Sequence, residues 1–162
     1  MEGIYTPAQV RGWQLPDRAR HSANPGDIFV GKIWGSVGKW FMAGGNTKDL
    51  IVTNGCYRLR VKPEKKGLLP DLVSGLCSEA YRVQMRGLAT GSDGLAEVGE
   101  TDVLSVLLPK LETAEARKVA NEYLDLFAKH ESTLKNVVSD WEKKGEEAFP
   151  AIPDRKTVFV QV

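Results

Sequence analysis

Gly26-Asp27-Ile28-Phe29-Val30-Gly31-Lys32-Ile33-Trp34-Gly35-Ser36-Val37-Gly38-Lys39-Trp40-Phe41-Met42 sets β-branched and aromatic residues between glycines. That is the composition of short strands joined by a tight turn. Residues 28–34 predict one strand, Gly35-Ser36 a turn, and residues 37–42 a second strand folding back on the first. Gly44-Gly45-Asn46 closes the hairpin. Outward from there, residues 51–53 predict a third strand and Asn54-Gly55 a turn. Residues 56–61 predict a fourth strand, with Tyr57, Leu59 and Val61 on one face and Arg58 and Arg60 on the other.

Helical spacing follows. Pro70 suits a first helical turn, Leu69, Leu72, Val73 and Leu76 recur along one face, and Gly75 with Ser78 suggests a break and a fresh N-cap. The second helix spans residues 79–88 and carries Arg82 and Arg86 four residues apart, on one side. Thr90-Gly91-Ser92-Asp93-Gly94 reads as a loop, and residues 103–108 as a strand stopped by Pro109.

From Thr113 the pattern changes. Thr113 is a helix cap, and no Pro or Gly interrupts the chain before Gly145. The result is a helix of about 30 residues, roughly 45 Å long. Spacings of four and three run through Ala116, Ala120, Tyr123, Phe127, His130, Leu134, Val137 and Trp141, the seam of a coiled coil. Val119, Leu124, Leu126 and Val138 widen that stripe. It is longer than the preceding core can cover, which predicts pairing with another chain, either a second copy or a different protein. His130 reads as a tolerated polar seam residue rather than a metal ligand.

Length and charge narrow the function classes. The chain has 162 residues, 42% hydrophobic and 27% charged, the balance of a folded domain rather than a disordered segment. No apolar run approaches a membrane span and the N-terminus has no hydrophobic signal core, so a cytoplasmic location is expected. Cys56 and Cys77 are too few for a disulfide framework. Net charge is +1, yet residues 1–90 carry 13 Lys and Arg against 7 Asp and Glu, while residues 91–162 carry 9 against 14. A positively biased lobe is what a phosphate-binding surface needs.

Catalytic signatures are lacking. Gly35-Ser36-Val37-Gly38-Lys39 imitates a phosphate loop, but the first glycine is missing at Ile33 and Trp40 replaces the magnesium-binding hydroxyl. No nucleophile elbow, paired-histidine motif or CxxC occurs. Neither an activity of this chain alone nor a cofactor or metal is expected.

The order of features resembles a known family. Pro25 to Val30, Gly35 to Lys39, Val52-Thr53-Asn54 and Tyr57 to Arg60 look like the target-recognition domain of type I restriction-modification specificity subunits. So do Leu72 to Leu76, Ser78 to Arg86, Ala89 to Ser92, and residues 103–112 ahead of a long helix. The resemblance spans roughly residues 4–142 and lies in order and spacing. It implies an α+β fold: a small mixed β-sheet recognition domain with short helices (residues 1–111), then a long coiled-coil-forming helix (112–145) and a tail (146–162). It also implies a non-catalytic specificity subunit that reads double-stranded DNA and directs a partner DNA methyltransferase subunit, and a nuclease, to the target. Full subunits of that family carry two such domains. This chain has one, and so resembles a half-subunit that pairs with a second copy, or a fragment of a longer protein.

DNA recognition needs cations for phosphates and hydrogen-bonding side chains for base edges. Candidates are Lys32, Trp34, Ser36 and Lys39 around the first hairpin, Asn46 and Lys48 in the glycine-rich loop, Arg58 and Arg60 on one strand face, and Arg82, Arg86, Thr90 and Ser92. An alternative from another class is a protein-interaction module that binds a restriction or methyltransferase complex through the long helix without reading DNA.

Overall fold

The computed structural model describes residues 10–45, 50–92 and 94–129. Asn46, Lys48, His130, Leu134, Val137, Trp141 and residues 146–162 lie outside the described residues. The described residues form five strands: β1 (Ala19–Ser22), β2 (Ile28–Gly31), β3 (Trp40–Met42), β4 (Ile51–Thr53) and β5 (Cys56–Leu59). Helices α1 (Leu69–Cys77), α2 (Glu79–Leu88) and α3 (Glu100–Ser105) follow, and residues 114–129 form a fourth helix, α4. The class is α+β, as the sequence predicts. In place of one mixed sheet there are two small antiparallel ones, β3-β2-β5 and β1-β4. Short connections such as residues 32–39 favour this, because parallel neighbours need a long crossover.

β2 is central. It pairs with β3 on one side and β5 on the other, and all four of its residues are buried. Ile28 and Val30, with Trp40 and Met42 opposite them, face Val73, Leu76, Tyr81 and Met85 of α1 and α2. Phe29 points the other way, stacks on Phe41 with ring centroids 5.0 Å apart, and packs with Ala23 and Val52 beside the β1-β4 pair. Burial on both faces makes β2 a continuous apolar run instead of an alternating one. Each of its large side chains contributes about 1.5–3 kcal/mol by leaving water.

Three strands are shorter than predicted. β2 stops at Gly31 because Ser36 folds back over it: a Cβ at Gly31 would lie 2.2 Å from the Ser36 carbonyl oxygen. The returning strand consequently begins only at Trp40, after a 3-10 turn at Trp34–Ser36. β5 ends at Leu59, before Arg60 and Val61.

The helical pair matches the reading of Ser78. Its hydroxyl oxygen accepts the Tyr81 N–H at 3.2 Å and starts α2 at Glu79. Gly75 has a different role from the one its type suggests. It lies inside α1, and Leu108 packs where a Cβ would sit, 2.8 Å away.

Residues 103–108 do not form a strand. Glu100 and Asp102 occupy the first turn of α3, where acidic side chains suit the helix dipole, and α3 runs to Ser105. The following extended stretch is clamped by Gln84, whose amide donates to the Leu107 carbonyl (2.8 Å) and accepts the Leu107 N–H (2.9 Å). A short apolar run such as Val103 to Leu108 does not distinguish strand from helix by itself.

α4 starts where predicted, with the Ala116 N–H donating to Thr113 Oγ1 at 3.1 Å. Ala120 is buried, Ala116 half-buried, and Tyr123, Leu124 and Phe127 pack on the main core cluster. The described part of the seam is therefore covered by the chain's own lobe. Leu124 sides with it, whereas Val119 and Leu126 point outward, 60% and 65% exposed. Asp71 fastens the junction: its carboxylate accepts the Leu111 N–H (3.0 Å) and pairs with Arg117 (2.9 Å). The backbone bond from Leu111, assisted by Arg117, holds the Asp71 carboxyl below its ordinary range. Among the described residues no helix is long and apolar enough to cross a membrane.

Candidate nucleic-acid interface

One edge of the molecule is built from two segments far apart in sequence. Residues 32–39 form a compact loop, closed by the Gly31 N–H donating to the Lys39 carbonyl (2.9 Å) and stiffened by Ser36, whose hydroxyl donates to the Ile33 carbonyl (2.9 Å). Residues 90–98 turn back on themselves: Thr90 donates to the Glu97 carbonyl (3.1 Å) and Glu97 to that of Thr90 (2.9 Å). The two segments then join, Trp34 N–H donating to Ala96 O (2.8 Å) and Val98 N–H to Lys32 O (2.9 Å). Gly91 makes the second turn possible. Its φ is +137°, and a Cβ would lie 2.8 Å from Ala96 Cα.

This arrangement brings Lys32, Trp34, Ser36, Thr90 and Ser92 together. Lys39 and Arg82 join them, because Gly38 lies against α2 with its Cβ position 3.4 Å from Arg82 Cγ. Arg86 follows Arg82 by one helical turn.

Not all of these side chains face outward for use. Lys32 is ion-paired with Glu97 and sits over the Tyr57 ring, 5.1 Å from its centroid, while the Tyr57 hydroxyl donates to Val98 O (2.9 Å). The Glu97 hydrogen bond raises the Lys32 pKa against a smaller opposing effect of burial. Arg82 donates to the Cys77 carbonyl (2.9 Å) and lies 3.5 Å from Glu79. Lys32, Ser36 and Arg82 thus build the edge. Trp34 is 52% exposed, and Lys39, Arg86, Thr90 and Ser92 are exposed. Lys39 and Arg86 make no ion pair among the described residues.

Arg58 and Arg60 occupy the other end of the sheet. β5 runs antiparallel to β2, so Cys56 faces Gly31 and Leu59 faces Ile28; Arg60 lies about 13 Å along the strand direction from Cys56. Arg60 grips Asp27 with two bonds, Nε to Oδ1 at 2.6 Å and Nη2 to Oδ2 at 2.8 Å. Asp27 is fully buried and also accepts the Asn24 N–H at 2.9 Å. Burial pushes its pKa up, but Arg60, the Asn24 N–H and Arg58 together outweigh that and hold it down. Arg58 donates to Ser22 O (3.0 Å), tying β5 to β1. Arg58 lies in β5 and Arg60 just beyond its end, and each has a partner within the fold.

Sequence reasoning missed Glu97, Asp27 and Arg20. Glu97 and Asp27 lie 65 and 33 residues from the cations they pair with, a separation that no local pattern reports. Arg20 is exposed on β1 beside the Arg58 tie, and the alternation of Ala19-Arg20-His21-Ser22 would have exposed it. Among the described residues no group of three or more His, Cys, Asp or Glu is placed to hold a metal ion. Among the described residues neither Cys56 nor Cys77 is in a disulfide, and burial pushes the Cys56 thiol up. No family model, curated protein or solved structure matches the chain.

Proposed function

We propose that the chain is a sequence-specific DNA-recognition domain of a restriction-modification system, one that delivers a partner methyltransferase, and a nuclease, to a target. The observation that carries this reading is the edge where exposed Trp34, Lys39, Arg86, Thr90 and Ser92 converge from three segments. Lys39 and Arg86, which have no acidic partner among the described residues, supply phosphate contacts, and hydroxyls and an aromatic ring between them supply groups able to discriminate bases. Methyl transfer belongs to the partner chain.

The test is selection of duplexes from a random pool, followed by a salt titration of the selected sequence. Replacing Lys39 and Arg86 by Ala lowers the slope of log affinity against log salt by about 1.8, because each phosphate contact contributes about 0.9. Replacing the exposed Lys65 and Lys66 by Ala, on the 3-10 turn Pro63–Leu68, leaves the slope unchanged. Absence of salt-dependent duplex binding refutes the reading.

One observation favours a second reading. Val119 and Leu126 stand seven residues apart on the outward side of α4, a spacing that keeps them on one stripe. A protein-interaction module docked there gives salt-insensitive association that is lost in Val119→Asp and untouched by Lys39→Ala.

A further inference from the structure

We propose that Trp34 is a base-stacking wedge and Gly35 the clearance beside it, so that the bound duplex is opened at one base step. This rests on the DNA-binding reading above and specifies how one residue is used.

The chemistry of the side chain chooses the mode. Indole has a single N–H donor and no acceptor, so it cannot form the two-bond forks by which base edges are told apart. Its contribution is a broad aromatic face. In a closed duplex the base faces are covered by their neighbours, and a side chain reaches one only where a step is unstacked. Trp40, the first strand residue after the same loop, is 5% exposed and belongs to the core; Trp34 is 52% exposed although its mount is rigid. That mount is held by the Trp34 N–H to Ala96 O, by Ser36 Oγ to Ile33 O, and by the Val37 N–H to Ile33 O at 2.9 Å. A ring held outward on a fixed backbone loses little freedom on binding.

Gly35 adds an independent observation. Its φ is not in the left-handed region, and a Cβ there would meet nothing within 4 Å. Neither backbone strain nor packing within the fold calls for glycine at this point. What a bare backbone does permit is close approach of an external surface. Charge selects that surface: Lys39 stands in the same loop, and Arg86 on the adjoining helix, both without acidic partners among the described residues, while Glu97 on the facing segment is taken up by Lys32. An anionic polymer with flat apolar faces fits this combination.

The experiment uses the full chain and the duplex it recovers from the random pool, with 2-aminopurine substituted in turn through the recovered site. Binding of the unaltered chain raises the fluorescence at one step, the signature of unstacking. Trp34→Ala loses that signal and about 5- to 150-fold in affinity, the range of one base-aromatic stack, while its salt slope stays the same because no charge is removed. Trp34→Phe restores most of both. Gly35→Val melts within about 2 °C of the unaltered chain, as a surface change away from any packing does, yet binds as weakly as Trp34→Ala. If Trp34→Ala binds within about two-fold of the unaltered chain and gives the same fluorescence, the wedge is wrong while the DNA reading stands. If no duplex is retained at any salt concentration, the DNA reading itself is wrong and the wedge with it.

Discussion

Replacing Asp27 by Asn tests the polar anchor at the far end of the sheet. The carboxylate is fully buried and accepts three hydrogen bonds, two from Arg60 at 2.6 and 2.8 Å and one from the Asn24 N–H at 2.9 Å. Asn keeps one acceptor oxygen but turns an NH2 towards the guanidinium, so the pairing with Arg60 is lost. Hydrogen bonds to charged groups contribute about 1.5–3 kcal/mol each. The Arg60 side chain is 51% exposed and is rehydrated on release, which discounts that gain. The net loss for Asp27→Asn is about 2 kcal/mol near neutral pH, a fall of about 7 °C in melting temperature for a domain of this size. Sign follows from the depressed pKa of Asp27. A carboxyl held below its unfolded value stabilises the fold fully above about pH 5, and the stabilisation is lost as pH falls through the folded value. Thermal melts followed by circular dichroism at pH 7 and pH 3 then show a gap between the unaltered chain and Asp27→Asn that narrows on acidification. A gap of equal size at both pH values, or none at pH 7, would refute the argument. Arg60→Met behaves oppositely: it strands a buried carboxylate, melts below Asp27→Asn at pH 7, and recovers towards it as acid neutralises Asp27.

Two further outcomes follow from other contacts. Gly91→Ala, with φ at +137° and the Ala96 backbone 2.8 Å from the new Cβ, destabilises by about 1–3 kcal/mol, measured by urea titration; an unchanged midpoint would mean the 90–98 turn is not formed as described. Phe127→Asp lowers the unfolding free energy of the lobe by about 2 kcal/mol, since the ring packs on the main core, whereas Leu126→Asp next to it has little effect. Equal effects of the two in the same titration would show that α4 is not docked through that face.

What the sequence discloses is whatever local chemistry decides. α2 runs from Glu79 to Leu88 as read, because the Ser78 cap and the apolar spacing of Tyr81 and Met85 act within one or two turns. The β2 and β5 strands are legible from composition, and so is the Thr113 cap. Pairing is not. That β4 joins β1 instead of β5, despite the Asn54-Gly55 turn between β4 and β5, depends on Val52 packing with Phe29 across the sheets. Residues 103–108 fail for a related reason: their fate is set by Gln84, more than twenty residues earlier, and by the space at Gly75. At the candidate interface the residue types were legible, but which cations are occupied was not. Lys32 looks as available as Lys39 until Glu97 is brought beside it.

The fastening of α4 has a mechanical corollary. Arg117 is tied to Asp71 and to the Gly67 carbonyl near the start of α4, and Phe127 packs against the core further along it. Two anchorage points about ten residues apart remove both swivel and tilt. The outward pair Val119 and Leu126 therefore keeps a constant compass bearing to the loop that carries Trp34, and whatever grips one of these surfaces inherits the orientation of the other.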